Sequence, residues 1–153
     1  GLCGRFVGMD RKEFKLIPGV TDREYYTNSF HIPVHYPISM YDKIRLEGQY
    51  HKYFNAGHIS YVELPSPPQH NPQAVEALIR HMADCDMGYA GINYPVDFCC
   101  GCSLLGVFND PECPRCGSAN IRRVRRITGY LSTVDRFNDG KVAELRDRLP
   151  HSK

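Results

Sequence analysis

The chain has 153 residues, 42% of them hydrophobic and 24% charged, which suits one globular domain of ordinary size and excludes a disordered chain. Its formal net charge of +2 is too small to argue by itself for nucleic acid or an anionic membrane surface as partner. No run approaches the roughly 18 to 20 apolar residues of a membrane helix, and no signal-peptide pattern opens the chain. These features point to a soluble, cytoplasmic protein with no membrane partner, and a start at Gly1 instead of a methionine points to a fragment or split subunit of something longer.

In chain order, the opening "GLCGRFVGMDRKEF" suits a short helix, weakened by three glycines. After a Pro-Gly turn, the aromatic and β-branched run from about Tyr25 to Val34 predicts a strand, limited by Pro33. Ser39 stands three residues before Asp42 like a capping box. The spacing of Tyr41, Ile44, Tyr50, Tyr53 and Phe54 then predicts a helix broken at Gly48 and ended by Asn55 and Gly57. A short strand is expected at His58 to Leu64. Beyond a proline-rich loop, Asn71 caps a helix that has Pro72 at its first position, an apolar stripe of Val75, Leu78, Ile79 and Met82, and Gly88 at its stop. "YAGINYPV" reads as a strand entering the cysteine cluster, and Asp139 to Leu149 as a last helix with Val142, Leu145 and Leu149 on one face. Strands alternating with helices indicate an α/β architecture with a parallel sheet, of which three strands and two helices are only a slice.

Five of the seven cysteines fall in "CCGCSLLGVFNDPECPRC". Cys99/Cys102 and Cys113/Cys116 form two CxxC pairs separated by ten residues, and two such knuckles complete the tetrahedral thiolate shell of a structural zinc ribbon. Gly106, Asn109, Asp110 and Pro111 supply a hairpin turn between them, and Pro114 and Gly117 suit a knuckle turn. Cys100 gives only CxC spacing with Cys102 and is left out; Cys3 and Cys85 read as small buried hydrophobes. The seven histidines show no HxxxH-like spacing and none is read as a metal ligand.

Other polar groups admit two readings. Thr27, Asn28, Ser29 and His31 either face a ligand near strand ends or make local turn hydrogen bonds. Glu47 and Glu63 are either buried acids or solvated ones. The four arginines of "NIRRVRRITG" suit a nucleic-acid surface or, preferably, a strand exposing one charged side.

The stretches "YYTNSFHIPV", "EGQYHKYFNAGHISYVEL" and "DMGYAGINYPVDFC", the paired CxxC elements and "RRITGYLSTVDRFN" together resemble the C-terminal part of the anaerobic (class III) ribonucleoside-triphosphate reductases, which are glycyl radical enzymes. The resemblance spans essentially the whole chain. It implies a C-terminal slice of a ten-stranded α/β barrel over residues 1–95, a zinc ribbon over 96–121, and a glycyl radical loop with a C-terminal helix over 122–153. It further implies an oxidoreductase that makes deoxyribonucleoside triphosphates for DNA replication under anaerobic conditions, with its organic radical stored on Gly129. Arg126 and Tyr130 would support the loop, and Cys99, Cys102, Cys113 and Cys116 would bind structural zinc; Asn28, Ser29 and His31 are substrate-facing candidates by their place near predicted strand ends alone. Thr128 stands where relatives often carry cysteine or serine. Implied partners are an activating enzyme carrying a [4Fe-4S] cluster and S-adenosylmethionine, the remaining part of the reductase with its thiyl cysteine, ribonucleoside triphosphates, and a second copy when full length. No residue here matches that finger-loop cysteine, so the chain is expected to be incomplete as a catalyst. Two other readings are a stand-alone glycyl radical spare part and a zinc-ribbon nucleic-acid-binding module.

The choice of glycine also has an independent physical reason. An unpaired electron on Cα is shared with the flanking amides only when Cα is planar, and a side chain would clash with neighbouring carbonyls in that geometry, whereas glycine has none.

Overall fold

A computed structural model describes residues 2–55, 57–127 and 129–151. Helix α1 (Leu2–Phe14) forms despite its glycines and buries Val7. Gly4 in α1 meets Gly140 near the far end of the chain so closely that a Cβ on Gly4 would lie 3.2 Å from the other's Cα. The helices therefore touch backbone to backbone.

The strand expected from Tyr25 to Val34 does not form; this segment is a series of bends and turns. Its backbone groups find partners elsewhere. Tyr26 N–H donates to the Cys3 carbonyl, and Ile32 N–H donates to the Glu47 carboxylate at 2.9 Å. Ser29 takes a left-handed φ of 57°, which no extended strand tolerates. Propensity here yields to a side chain fifteen residues away.

Helix α2 (Met40–His51) starts where the sequence indicates, with Ser39 Oγ accepting from Asp42 N–H. It runs unbroken through Gly48 and ends at His51, ahead of the expected Asn55. Gly48 is there for clearance: a Cβ would stand 2.3 Å from the Cys85 carbonyl oxygen. Helix α3 (Pro72–Asp84) has the expected Asn71 cap and Pro72 at its start. The residue that turns left-handed after it is Asp86 (φ 56°), two positions before the expected Gly88. Leu78 and Met82 of α3 pack with Ile44 and Val62 into one core, each burial contributing roughly 1.5–3 kcal/mol. Ile79, expected on the same stripe, is exposed.

The sheets differ from a single parallel array. β1 (Ser60–Glu63) pairs in parallel with β2 (Ala90–Asn93), joined through α3, with Val62 opposite Ile92. The single strand expected over "YAGINYPV" is interrupted after Asn93, because Pro95 has no N–H to offer a ladder. The chain then enters an antiparallel sheet of β3 (Val96–Cys99), β4 (Leu105–Gly106), β5 (Ile121–Arg126) and β6 (Leu131–Thr133), in the order β4-β3-β5-β6. A 3-10 turn (Val134–Arg136) leads to α4 (Asp139–Asp147), capped by Asn138. Its buried residue is Ala143, whereas Val142 and Leu149 of the expected apolar face are exposed, because contact through Gly140 turns the helix. No helix among the described residues is long and apolar enough to cross a membrane.

Candidate functional site

Two knuckles with the same geometry bring the cysteines together. In the first, Ser103 N–H donates to the Cys99 carbonyl at 2.9 Å; in the second, Gly117 N–H donates to the Cys113 carbonyl at 2.9 Å. Both donors have a left-handed φ, 61° at Ser103 and 70° at Gly117. Glycine adopts this at no steric cost, and Ser103 is the position that residue-type reasoning misses. The four sulfurs lie within 4.8 Å of one another, with Cys99–Cys116 and Cys102–Cys113 both at 3.6 Å. A tetrahedral ion with metal–sulfur bonds of about 2.3 Å requires sulfurs about 3.8 Å apart, so this cluster fits a structural zinc ion. Cys100 is exposed and outside the cluster.

The cluster is tied to the strand that follows it by Asp97, which is fully buried two residues before Cys99. Its carboxylate accepts from Phe108 N–H (2.8 Å), Arg125 Nη1 (2.7 Å) and Arg123 Nη1 (3.3 Å). Arg123 also donates to the Phe108 carbonyl. The β5 arginines are thus only partly the solvated charged side expected: Arg122 is exposed, while Arg123, Arg125 and Arg126 are drawn onto acids.

β5 ends at Arg126, and the chain reverses before β6. Ile127 N–H donates to the Tyr130 carbonyl at 2.8 Å, closing a tight loop whose tip carries Gly129. Gly129 is exposed, and an added Cβ would meet nothing within 4 Å. Crowding by the described residues therefore does not demand glycine here. Tyr130 is 56% exposed, its hydroxyl accepting from Lys141 Nζ at 3.1 Å. Thr128 lies outside the described residues.

At Arg126, where β5 ends, a cavity of about 50 Å³ is lined by Asn28, His31, Lys43, Tyr61, Glu63, Arg126 and His151, among others. It brings Asn28 and His31 near Arg126. Ser29 turns elsewhere, its hydroxyl 3.3 Å from His58 Nδ1. Thr27 also lines the cavity.

Two buried carboxylates govern its electrostatics. Burial would raise the Glu47 carboxyl, but hydrogen bonds from His31, Lys43 and Ser60 and the Lys43 charge outweigh it and hold the acid well below the usual carboxylate range. Lys43 Nζ stands 2.6 Å from Glu47, and burial lowers its own affinity for the proton. At Glu63 burial is likewise outweighed, by the charges of Arg126 and Arg148 and by hydrogen bonds from Arg126 and Asn93, so this carboxyl too is held down. Both acids are therefore buried and ionised, one of the two alternatives open in the sequence. Cys3 and Cys85 are half-buried, with Cys3 Sγ 3.5 Å from Asn28 Oδ1.

Residues 1–151 match the family model described as anaerobic ribonucleoside-triphosphate reductase. The chain belongs to this reductase family. It is 41% identical over 159 aligned residues to the anaerobic ribonucleoside-triphosphate reductase of Escherichia coli (strain K12), covering 98% of the chain and 22% of that protein. To the enzyme of the same name from Enterobacteria phage T4 it is 36% identical, covering 26% of that protein. A solved structure titled anaerobic ribonucleotide reductase superposes with a TM-score of 0.77 at 22% identity, over 99% of the chain and 23% of its own length, which shows a shared fold. The chain thus spans about a quarter or less of the relatives it matches.

As a reductase-family chain it holds several residues that motif reading passed over. Asp97 and His151 have no spacing signature; each acts through a partner distant in sequence. Three of the seven histidines, unremarkable as a sequence pattern, come together at His58, which stacks on the Phe54 ring at 4.4 Å and on His31 at 4.7 Å, with His51 edge-on to it at 4.6 Å. Gly88 N–H donates to His51 Nδ1, leaving Nε2–H to donate to Ser60 Oγ.

Proposed function

We propose that this chain is the C-terminal, radical-bearing part of an anaerobic ribonucleoside-triphosphate reductase, with residues 1–95 contributing to the α/β barrel, 96–121 forming a zinc ribbon and 122–153 carrying the radical loop and final helix. The observation that carries the reading is Gly129 itself, an exposed glycine at a loop tip where an added side chain would meet none of the described residues. What glycine uniquely offers at such a place is a Cα that can become planar when a hydrogen is removed. Exposure of the tip also suits access by an activating enzyme bearing a [4Fe-4S] cluster and S-adenosylmethionine, which removes that hydrogen.

In this reading Cys99, Cys102, Cys113 and Cys116 hold zinc, which supplies folding energy and no redox step. Arg126 and Tyr130 hold the two sides of the loop. Asn28 and His31 line the cavity near Arg126 and are the proposed substrate-facing groups, whereas Ser29 turns to His58. The spin passes to a cysteine in the remaining part of the reductase, and the resulting thiyl takes the ribose 3′-hydrogen of a ribonucleoside triphosphate. The 2′-hydroxyl then leaves as water, with formate or a dithiol supplying the electrons. The full-length assembly is proposed to be a cytoplasmic homodimer. A nucleic-acid module is disfavoured because Arg123, Arg125 and Arg126 are committed to Asp97 and Glu63.

The test is anaerobic incubation of the chain with the activating enzyme, S-adenosylmethionine and a reductant, read by electron paramagnetic resonance. A doublet is expected from the wild type and none from Gly129→Ala. Because an added methyl meets no neighbour, that variant keeps its fold, and a doublet persisting in it overturns the assignment.

A further inference from the structure

Glu63, at the end of β1, is bonded to three separate parts of the molecule. Its Oε1 accepts from Arg126 Nε at 3.0 Å and from Arg126 Nη2, and its Oε2 accepts from Asn93 Nδ2 at 2.5 Å on the neighbouring strand β2. Its backbone is clasped by the C-terminal tail: Glu63 N–H donates to His151 Nδ1 at 2.9 Å, and His151 N–H donates to the Glu63 carbonyl at 2.8 Å. Arg148 stands 3.9 Å from the same carboxylate.

Arg126, held by this carboxylate, and Arg148, which stands near it and donates through Nη2 to Glu144 at 2.5 Å, also grip the backbone just before Gly129. Arg126 Nη1 donates to the Ile127 carbonyl at 2.8 Å, and Arg148 Nη1 donates to the Arg126 carbonyl at 2.9 Å. The Arg126 guanidinium lies over the Tyr61 ring, 4.1 Å from its centroid, which fixes its plane. The carboxylate and its arginines are at least nine-tenths or nearly so out of solvent, so water competes little for these bonds. From β1 to the residues flanking the loop there is thus a continuous chain of charge-assisted hydrogen bonds.

We infer that Glu63 is a positioning residue for the Gly129 loop: through Arg126 it sets the carbonyl of residue 127, and with it the orientation of the loop tip relative to the parallel strands, while Arg148, braced by Glu144, steadies the carbonyl of residue 126 beside it. The inference rests on the reading of Gly129 as the radical site for its consequence, and on the hydrogen bonds alone for its geometry. Glutamine at position 63 has nearly the same shape but lacks the charge and one acceptor, so Arg126 loses its ionic anchor while Arg148 keeps Glu144 and the apolar core is untouched.

The experiment compares the wild-type chain with Glu63→Gln and Glu63→Asp. Amide hydrogen exchange is measured first, without activation. In Glu63→Gln the Ile127 amide should exchange about tenfold faster or more, while amides of the β3–β5 ladder and zinc content stay at wild-type values. After activation the doublet of Glu63→Gln should fall several-fold in yield per chain, and Glu63→Asp should recover part of both signals. Unchanged Ile127 exchange in Glu63→Gln, or equal loosening of every sheet amide, overturns the inference. If Glu63→Gln does not fold, Arg126→Lys, which keeps the charge but loses the paired bonds to Glu63 and the grip on the Ile127 carbonyl, is read in the same way. Absence of a doublet in the wild type would overturn the radical reading, while the exchange comparison would still decide the role of Glu63.

Discussion

Asp97 Oδ1 and Arg125 Nη1 lie 2.7 Å apart across the β3–β5 ladder, with the carboxylate entirely shielded from water. This pair, joined by Arg123 and the Phe108 amide, is where the cysteine cluster meets the strand leading to Gly129. Removing one partner of a buried ion pair typically costs 3–5 kcal/mol, because the other is left uncompensated. Asp97→Ala is accordingly expected to lower the stability of the metal-loaded chain by about 3 kcal/mol or more in denaturant titration. Asp97→Asn, which keeps an acceptor for Phe108 N–H, should recover part of that loss, and a change below about 1 kcal/mol in the alanine variant contradicts the role assigned here.

The metal site gives a second expectation. One zinc ion should bind per chain, and serine at Cys99, Cys102, Cys113 or Cys116 should weaken it. The ribbon has its own small core of Cys99, Phe108 and Cys113, separate from that of Ile44, Val62, Leu78 and Met82. A chelator should therefore strip amide protection from residues 99–121 before it affects α3. Equal loss in both regions would show that they do not melt separately.

Gly48 separates helix propensity from packing. Alanine in a helix interior is favoured over glycine by about 1 kcal/mol. Here its Cβ would stand 2.3 Å from the Cys85 carbonyl, so α2 and the end of α3 must part. Gly48→Ala should reduce stability, by about 1–3 kcal/mol in thermal unfolding. A stabilised variant would mean the two helices can move apart freely.

His151 gives a pH dependence. Burial, followed by the nearby Lys43 charge, pushes its imidazole down to about 4, with Arg126 acting in the same direction and Glu63 and Glu47 opposing. The docked form is neutral, with Nδ1 accepting from Glu63 N–H. An unfolded histidine titrates near 6.5, so tail docking is fully supported above that pH and weakens as pH falls through it toward 4. Proton NMR of the His151 ring should show a midpoint well below 6.5, and His151→Gln should flatten the acid limb of stability between about pH 6.5 and 4. A midpoint at the ordinary value contradicts the buried, neutral assignment.

The features legible in the sequence are those whose cause is local. Ser39 and Asn71 cap helices because the amides they satisfy lie three residues on, and a CxxC pair needs only its own knuckle turn. Where the deciding partner is remote, pattern reading goes astray. The 25–34 run has strand-forming residues, but its Ile32 amide goes to Glu47. The arginine alternation of β5 is visible, yet its acids, Asp97 and Glu63, come from two different strands. Gly48 looks like a helix breaker because Cys85, the group it makes room for, is distant in sequence.

The cysteine cluster is an excursion whose neck is already shut: β3 and β5 pair directly, Val96 opposite Val124 and Cys99 opposite Ile121. Residues inserted at its far turn, around Pro111 and Glu112, would enlarge a loop tethered at both ends, at about 0.6 kcal/mol for each doubling of length. The spacing between CxxC pairs can thus drift while the strand that carries Arg126 stays in register.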